Sequence, residues 1–570
     1  MNGPRTFLFT SLLILATVFA SASDIYIAQN ASGGNNGSDC ADAHAASWFN
    51  SSSNWGSGSA KIGPGTTVHL CGAFAAPAGS NGFLTFQGNG SDGNPITVQF
   101  EAGSTISAPY WGTNGAISAN GGSYLVVDGV CTASNSAGQC TATQGTVQAT
   151  LNGSPGASCP GGPCQYQQNG FGVNLSPGSA SCNNCEIKNL TISNMYIHTA
   201  KSNDSGGNNG VELMGNNISI DNNIIHDTCW AINTGYTSAG TSNVSVFNNT
   251  LYNIDHGVAV GDDGNASLSG LYIYGNIIHD FSNWDTAGDY WHHDGIHVFA
   301  NNSSKLAAPI AIYNNYIYGN WGNNLNAGIY IEVAVSGASI ATHYVFNNIF
   351  APSSGTSANG AINDKVNGTC GSFYNNDGIG TGSVNAPGFN YGEGGGTCSG
   401  GYVKNSIFAG TGTNGNIGIY ALNATPTASD YNVWFNTYLG DAMYYSANGQ
   451  WFVCVIHQPG CTGSSAWDST TGFDTHSTTS NPLLTSSSSC SSGTATGCNL
   501  SSSSSAAYSA GTNLYSTCNG QPNPGLGALC YDYAGNQRPT SGNWDIGAFA
   551  YNGSGGSAPN APTGLTASVQ

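Results

Sequence analysis

The sequence predicts an all-β solenoid, in which short parallel strands stack coil upon coil, and three observations predict it. A segment built around a pair of asparagines recurs along the chain at intervals of 26 to 39 residues. Each copy is followed by a second short run in which Val and Ile alternate with small or polar residues. Only 6% of residues are charged, and most polar residues are Gly, Ser, Asn and Thr. Repeats of this length with turn-forming polar residues are typical of stacked coils.

The asparagine-centred repeat marks one bend in each coil. Asparagine tolerates the left-handed backbone conformation of a tight bend, and its amide can bond to the same amide in the next coil. We therefore expect the second asparagine of each pair to lie above its counterpart in the preceding coil. The copies are Ser219–Asp227, Ser245–Asn253, Tyr272–Asp280, Ala311–Gly319 and Tyr344–Phe350.

The second run supplies another strand to each coil, at Gly257–Val260, Gly295–Val298 and Gly328–Ile331. Its alternation places one set of side chains inside and the other outside. A unit with two or three such strands cannot bury its apolar face alone, so it must stack on neighbours.

This pattern resembles the right-handed parallel β-helix repeats of the pectate-lyase-like superfold, most clearly over residues 188–410. Near the other end, Asp532–Pro539 and Trp544–Phe549 resemble the closing motif of many secreted bacterial β-helix proteins. The resemblance implies a right-handed parallel β-helix, with function on its solvent-facing strands and loops. We expect Arg538 and Asp545 to pair as a structural cap.

The chain divides into three parts. A basic start followed by the apolar run Phe7–Phe19 and small residues predicts a signal peptide at 1–22, and therefore a secreted protein. The β-helix domain is expected at 23–552, with a loop-rich part at 411–552. A Gly/Ser/Pro linker follows at 553–570, where the last residues resemble the opening strand of a truncated fibronectin type III module.

Cysteine content agrees with export. The chain has 17 cysteines, several of them close together in the sequence, which predicts local disulfides that pin loops. The close pairs are Cys131 and Cys140, Cys159 and Cys164, Cys182 and Cys185, Cys454 and Cys461, and Cys490 and Cys498.

The charge balance excludes two classes of partner. A formal net charge of −20 repels nucleic acid and anionic membranes. After the signal peptide, no run of apolar residues is long enough to span a membrane. We expect a monomer whose partner is an extracellular polysaccharide.

The longest interval between repeats points to the candidate site. It inserts a loop, Ser282–His293, that is rich in aromatic, acidic and imidazole side chains, before the strand Asp294–Val298. Aromatic rings stack on sugar faces, and carboxylates or imidazoles transfer protons. The predicted substrate-binding residues are Trp284, Tyr290 and Trp291 of the loop together with Trp230 and Tyr330.

Aligning the second strands of successive coils produces a column of outward or rim residues. Neighbouring coils stack about 4.8 Å apart, so side chains in this column meet across coils. Asp294 and Glu332 form the candidate carboxylate pair of a glycosidase, with His256, His293 and His297 as candidate catalytic partners. The whole column reads Glu212, Asp255, His256, Asp294, His297, Tyr330, Glu332, Asp364 and Lys365.

These residues leave several functions open. Glycoside hydrolysis is favoured, because a lyase acting on a uronate needs cations, and of the few lysines only Lys201 and Lys365 flank the column. A Ca²⁺-dependent lyase remains an alternative, with Asp262 and Asp263 as candidate Ca²⁺ ligands. A non-catalytic glycan-binding or adhesin-type surface protein is the other alternative.

A transition-metal site is a further reading of the same residues. Three imidazoles and a carboxylate, from His292, His293, His297 and Asp294, suit Zn²⁺ or Cu²⁺. Adjacent histidines on an extended segment point apart, however, which disfavours this ligand set.

Overall fold

The computed structural model describes residues 24–151, 164, 169–195, 208–234, 241–262, 268–281, 292–300, 305–322, 325–333, 337–355, 360–381, 388–391, 397–410, 419–421, 424–435, 443–445, 450–452, 467–551 and 553. Their strands pair in parallel from each coil to the next, so the fold is a parallel β-helix with disulfide-bonded loops. This confirms the predicted fold class; parallel crossovers of this kind are right-handed in almost all proteins.

The strands form three ladders that run along the solenoid. The first ladder consists of Asp24–Ala28, His44–Ala45, Thr67–Cys71, Ile96–Phe100, Leu125–Asp128, Cys185–Lys188, Asn216–Asp221, Thr241–Phe247, Leu268–Tyr274, Lys305–Tyr313, Ser339–Ile340, His343–Phe346, Gly368–Thr369, Ser372–Tyr374, Cys398–Ser399, Tyr402–Lys404, Ala424–Thr425 and Ala428–Asp430.

The second ladder consists of Ala73–Ala75, Thr105–Ala108, Gly145–Ala149, Leu190–Met195, Ile224–Thr234, Thr250–Asp262, Ile277–Phe281, Tyr316–Asn320, Ile349–Ser354, Asp377–Ile379, Ile407–Ala409 and Val433–Phe435. Its two long strands, Ile224–Thr234 and Thr250–Asp262, continue around a corner and also pair in the third ladder.

We call the third ladder the site ladder. It consists of Leu84–Thr85, Ile117–Ser118, Gly170–Asn174, Asn208–Leu213, the second halves of the two long strands, His293–Ala300, Leu325–Val333, Ile362–Lys365, Phe389–Tyr391, Ile419–Ala421 and Met443–Tyr445, with Gln450–Phe452 antiparallel at its end. A separate antiparallel hairpin joins Cys131–Ser134 to Cys140–Thr143.

Within the described ranges, short helical turns lie at the two ends and in loops. The α-helical turns are Ala46–Phe49, Trp467–Thr471, Ser487–Cys490 and Tyr515–Cys518, and the 3₁₀ turns are Cys40–Asp42, Ser52–Asn54, Pro177–Ser179, Ala495–Cys498 and Leu526–Cys530. Among the described residues, no helix is both long and apolar enough to cross a membrane.

The asparagine repeat forms a ladder of side chains inside the solenoid, as predicted. The Nδ2 group of Asn223 donates to Oδ1 of Asn249 at 3.0 Å, and Asn249 donates to Asn276 in the same way. Asn315, Asn348 and Asn376 continue the ladder. These side chains are fully buried, so the amide bonds between coils satisfy polar groups that water cannot reach.

The first asparagine of each pair has a different role, because it makes the bend. Asn222, Asn248, Asn314 and Asn347 have φ between 54° and 56°, the left-handed conformation that asparagine tolerates better than other side chains do. One coil carries Gly275 at this position instead, with φ 67°.

Disulfides close several loops. Three predicted local pairs are confirmed, Cys131–Cys140, Cys182–Cys185 and Cys490–Cys498. The sequence spacing did not indicate three longer links, Cys40–Cys71, Cys370–Cys398 and Cys518–Cys530. Cys164 is disulfide-bonded, whereas its predicted partner Cys159 and the pair Cys454 and Cys461 lie outside the described residues. The disulfides fit an oxidising, extracellular compartment.

The segment 467–551 packs along the outside of the coils. Ile546 and Phe549 join an apolar cluster with Ile349 and Ile407 of the second ladder. The predicted pairing of Arg538 with Asp545 needs correction. The buried guanidinium of Arg538 donates to the main-chain oxygens of Gly547 and Ala548, and its contact with Asp545 is to the main-chain oxygen. The carboxylate of Asp545 instead accepts main-chain N–H groups of Ser509 and Tyr551.

Candidate functional site

Three rows of residues cross the site ladder side by side. The first row is Trp230, His256, Asp294 and Ala327; the second is Glu212, Asn233, Ala259, His297, Tyr330 and Asn363; the third is Gly261, Phe299, Glu332 and Lys365. Seven of the nine residues of the predicted column thus divide among these three rows, whereas Asp255 and Asp364 lie in none of them.

A bend in the strand brings the first two rows together. Asp294 and His297 are three residues apart, so in a flat strand their side chains would leave opposite faces. Their side chains instead meet, with His297 Nδ1 at 3.8 Å from Asp294 Oδ2. Gly295 lies between them, and a Cβ atom there would come within 2.4 Å of the Gly328 oxygen. Glycine is therefore required where these backbones approach closely.

Three imidazoles surround one oxygen of Asp294. His292 Nε2 lies 3.1 Å from Asp294 Oδ2, and His256 Nε2 lies 3.4 Å from the same atom. The ring centroids of His256, His292 and His297 are 5.4 to 5.6 Å apart, so the rings form a nearly equilateral triangle. One nitrogen from each ring and Asp294 Oδ2 all lie within 4.8 Å of one another.

The carboxylate of Asp294 is held from its other side. Its Oδ1 accepts the main-chain N–H of Ala327 at 3.1 Å and the side-chain amide of Asn326 at 3.3 Å. The side chain is completely buried. Burial alone would raise the pKa of Asp294, but the surrounding imidazoles outweigh burial and hold that pKa below its ordinary value.

A second carboxylate orients His256. Asp255 Oδ1 lies 2.9 Å from His256 Nδ1, so the opposite ring nitrogen faces Asp294. Burial lowers the pKa of His256, but Asp255 and Asp294 together raise it to about 9. His293 Nε2 lies 3.7 Å from Asp255, which turns His293 away from its neighbour His292.

Glu332 occupies the more accessible side of the cluster. Its Oε1 lies 3.3 Å from His297 Nε2, and its Oε2 accepts the Tyr330 hydroxyl at 2.7 Å and lies 3.1 Å from Lys365 Nζ. Its side chain is 13% exposed, whereas that of Asp294 is fully buried. Burial would raise the pKa of Glu332, but the His297 contact, Tyr330 and Lys365 lower it to about 2.

Two aromatic rings named from the sequence border this cluster. Tyr330 stacks on His297 with ring centroids 5.0 Å apart, and Trp230 lies against His256 at 5.1 Å. The other predicted sugar-binding residues, Trp284, Tyr290 and Trp291, lie outside the described residues. The proposed Ca²⁺ ligands Asp262 and Asp263 have no described side chains either.

The predicted solvent-facing column is wrong for four of its five carboxylates, because Asp294 is buried and so are the three that follow here. Asp364 is buried and lies 3.1 Å from the buried imidazole of His343. Glu212 is buried too, and its Oε2 accepts the side-chain amide of Asn233 at 3.0 Å. Asp255 is buried beneath His256. Asp364 pairs with the inward residue Ile331, so alternation along the strand places its side chain inside.

Sequence reasoning missed Asn326 and gave no role to Asp255. The available signal for Asp255 was its place directly before His256 in the sequence. Asn326 gives no comparable signal, because asparagine is abundant throughout this chain.

Comparison with known proteins gives structural similarity alone. No family model and no curated protein matches the chain. The solved structure of pectate lyase Pel9A aligns at 15% identity and a TM-score of 0.43, over 94% of this chain and 97% of that one. GH136 lacto-N-biosidase from Eubacterium ramulus aligns at 13% identity and a TM-score of 0.42, over 71% and 68%.

A third similar structure is the catalytic unit of a GH87 alpha-1,3-glucanase from Streptomyces thermodiastaticus strain HF3-3. It aligns at 14% identity and a TM-score of 0.33, over 67% of this chain and 65% of that one. At these values the similarities carry no argument about activity.

Proposed function

We propose that the protein is an extracellular polysaccharide-cleaving enzyme, most simply a glycoside hydrolase, with its reaction centred on Glu332. The observation that carries the proposal is the convergence of His297, Tyr330 and Lys365 on the site ladder, each within hydrogen-bonding reach of Glu332. A glycan-binding stalk has no need for proton-transfer groups in such a cluster, whereas bond cleavage does.

Glu332 is the carboxylate that a substrate can reach. Both oxygens of Asp294 are already surrounded by protein groups, and its side chain has no exposed surface. We therefore assign the two members of the predicted pair different roles. Glu332 takes a proton from the attacking water, and Asp294 acts through His297 by fixing its ring.

The remaining groups complete the reaction. Hydrolysis adds the water oxygen to the anomeric carbon and a proton to the leaving glycosidic oxygen. Among the described residues, three proton-carrying groups contact this carboxylate, His297, Tyr330 and Lys365, and one of them has to supply the proton of the leaving oxygen. Tyr330 and Trp230 offer ring faces on which sugars can stack.

A uronate lyase is the second candidate, and Lys365 is the observation that favours it. Its ammonium lies 3.1 Å from Glu332 in a protein with few cations. Such a cation can neutralise the carboxylate of a uronic acid while a base removes the neighbouring proton.

Digestion of a panel of neutral and uronate-containing glycans by the purified protein tests the proposal, with and without Ca²⁺. New reducing ends without the ultraviolet absorbance of an unsaturated uronate support hydrolysis. If the absorbance of an unsaturated uronate appears together with the new reducing ends, the lyase is supported. Lys365→Met should then lose most of the activity. Glycans that bind but stay intact under all conditions would contradict both and leave a binding protein.

A further inference from the structure

We propose that His256, His292, His297 and Asp294 bind one divalent transition-metal ion, most suitably Zn²⁺, at the corner of the site ladder. The sequence-based metal set contained His293 in place of His256. His293 faces Asp255, and the imidazole that completes the set comes from the preceding coil. This inference concerns the ion alone and does not require that the protein cleave a glycan.

The distances between the four donor atoms match a small metal ion. With bonds of about 2.0–2.1 Å in a tetrahedron, donor atoms lie about 3.3 Å apart. The contacts from Asp294 Oδ2 to the three imidazole nitrogens are 3.1, 3.4 and 3.8 Å. All four donor atoms lie within 4.8 Å of one another, so small side-chain adjustments would close the site.

Two of the four atoms that face this centre make no well-formed hydrogen bond. Asp294 Oδ2 and His292 Nε2 are buried and make no hydrogen bond, although they lie 3.1 Å apart. A fully buried carboxylate oxygen without a hydrogen bond is costly unless a cation compensates it. A metal ion would satisfy both atoms at once.

Two of the imidazoles contact carboxylates through the ring nitrogen that points away from Asp294, as metal-bound histidines do. Metal-bound histidines usually contact a carboxylate or carbonyl through the second ring nitrogen, which fixes the ring and its tautomer. Asp255 contacts His256 Nδ1 at 2.9 Å, and Glu332 contacts His297 Nε2 at 3.3 Å. In both rings the nitrogen left over is the one that faces Asp294.

The donor set selects the class of ion. Three imidazoles and one carboxylate favour Zn²⁺ and its borderline relatives over Ca²⁺ or Mg²⁺, which prefer oxygen ligands. Four protein ligands fill a tetrahedral shell, which is typical of zinc sites that support structure. The ion would join two adjacent coils and fix the ring that Glu332 contacts.

Metal analysis of the full chain, produced without a histidine tag, tests the proposal. We expect one Zn²⁺ per chain after dialysis against zinc, removal by a chelator, and a lower melting temperature for the metal-free protein. Replacement by Co²⁺ should give the visible absorption of a tetrahedral nitrogen–oxygen site. This spectrum needs no variant, so it does not depend on whether substituted chains fold.

Variants then locate the ion. Asp255→Asn removes an outer partner of a ligand and should lower zinc affinity by about 10–100-fold. His256→Gln and His292→Gln each remove a ligand and should lower zinc affinity by more than that. His279→Gln is the matched control, because His279 pairs with Asp280 in a repeated turn and should leave affinity unchanged. Wild-type protein with no bound zinc and no Co²⁺ spectrum would overturn the proposal. Equal zinc binding by the two ligand variants and the control would overturn it as well.

Discussion

At the scale of single residues, His297 contacts two carboxylates that differ in their exposure to solvent. Its Nδ1 faces Asp294, which is buried, and its Nε2 faces Glu332, which is partly exposed. The exposure of Glu332 makes it the group that meets a substrate, and the burial of Asp294 makes it a positioning group.

Glu332→Gln should therefore reduce kcat by about 10²–10⁴-fold, the usual contribution of a proton-transfer group. The amide keeps the size of the side chain but cannot accept a proton from water. Glu186→Gln is the control, because Glu186 also pairs with a lysine, Lys188, but on the first ladder. Initial rates on any glycan that the wild-type protein cleaves provide the measurement. A Glu332→Gln enzyme as active as the control would place the reaction elsewhere.

The sequence predicted which residues make up much of this site but not how they are arranged. Asp294, His297 and Glu332 followed from aligning repeated strands, because each repeat contributes the same positions. The alignment could not show that the side chain of Asp294 turns toward His297. It also did not identify Asp364 as the buried partner of His343. The direction of Asp294 depends on the local backbone, which periodicity does not encode, whereas Asp364 pairs with the inward Ile331 and strict alternation along the strand could have placed it inside.

At the scale of elements, the asparagine ladder holds the corner between the first and second ladders. Asn276 is fully buried, donates to Asn315 Oδ1 and the Val246 oxygen, and accepts from Asn249. Each of these bonds joins one coil to a neighbour. The ladder was predictable because identical residues recur at the spacing of the coils.

Asn276→Ala should lower the free energy of unfolding by at least about 2 kcal/mol, because each buried group left without a partner costs about 1–3 kcal/mol. Asn217→Gly is the control. Asn217 lies in an exposed amide ladder with Asn184 and Asn243, and glycine keeps its left-handed φ of 57°. Denaturant unfolding of both variants gives the comparison. An equal, small loss in the two would mean that the buried ladder adds no stability.

At the scale of the whole molecule, the segment 467–551 lies against the coils, an arrangement that the sequence did not predict. The repeats identify coils, but this segment has no repeat, and its apolar residues are scattered among Ser, Thr and Gly. Asp377 lies at the junction. Its Oδ1 accepts the Ala548 N–H at 3.1 Å, and its Oδ2 is buried without a hydrogen bond.

Because of Asp377, the free energy of unfolding should fall as the pH rises. Burial raises the pKa of Asp377 from 3.8 to about 8, against the opposing effects of the Ala548 N–H and Arg538. Between these values the folded chain holds a proton that the unfolded chain has released, so its contribution to the free energy of unfolding decreases with pH. Asp377→Asn should remove this pH dependence, and the variant should be more stable than the wild type near pH values of about 8.

Denaturant unfolding at several pH values across this window measures the effect, with exposed Asp92→Asn as the control. The difference between Asp377→Asn and wild type should grow as the pH rises, while the control follows wild type throughout. A difference that is constant with pH would show that Asp377 is ionised in the folded protein.

The most direct test of the central claim is a crystal structure of Glu332→Gln with an oligosaccharide of a glycan that the wild-type protein cleaves or retains. We expect a glycan chain lying across the site ladder, with a glycosidic oxygen near the side chain of residue 332 and a sugar ring against Tyr330 or Trp230. An oligosaccharide bound on the first ladder, near Glu186 and Lys188, would contradict it.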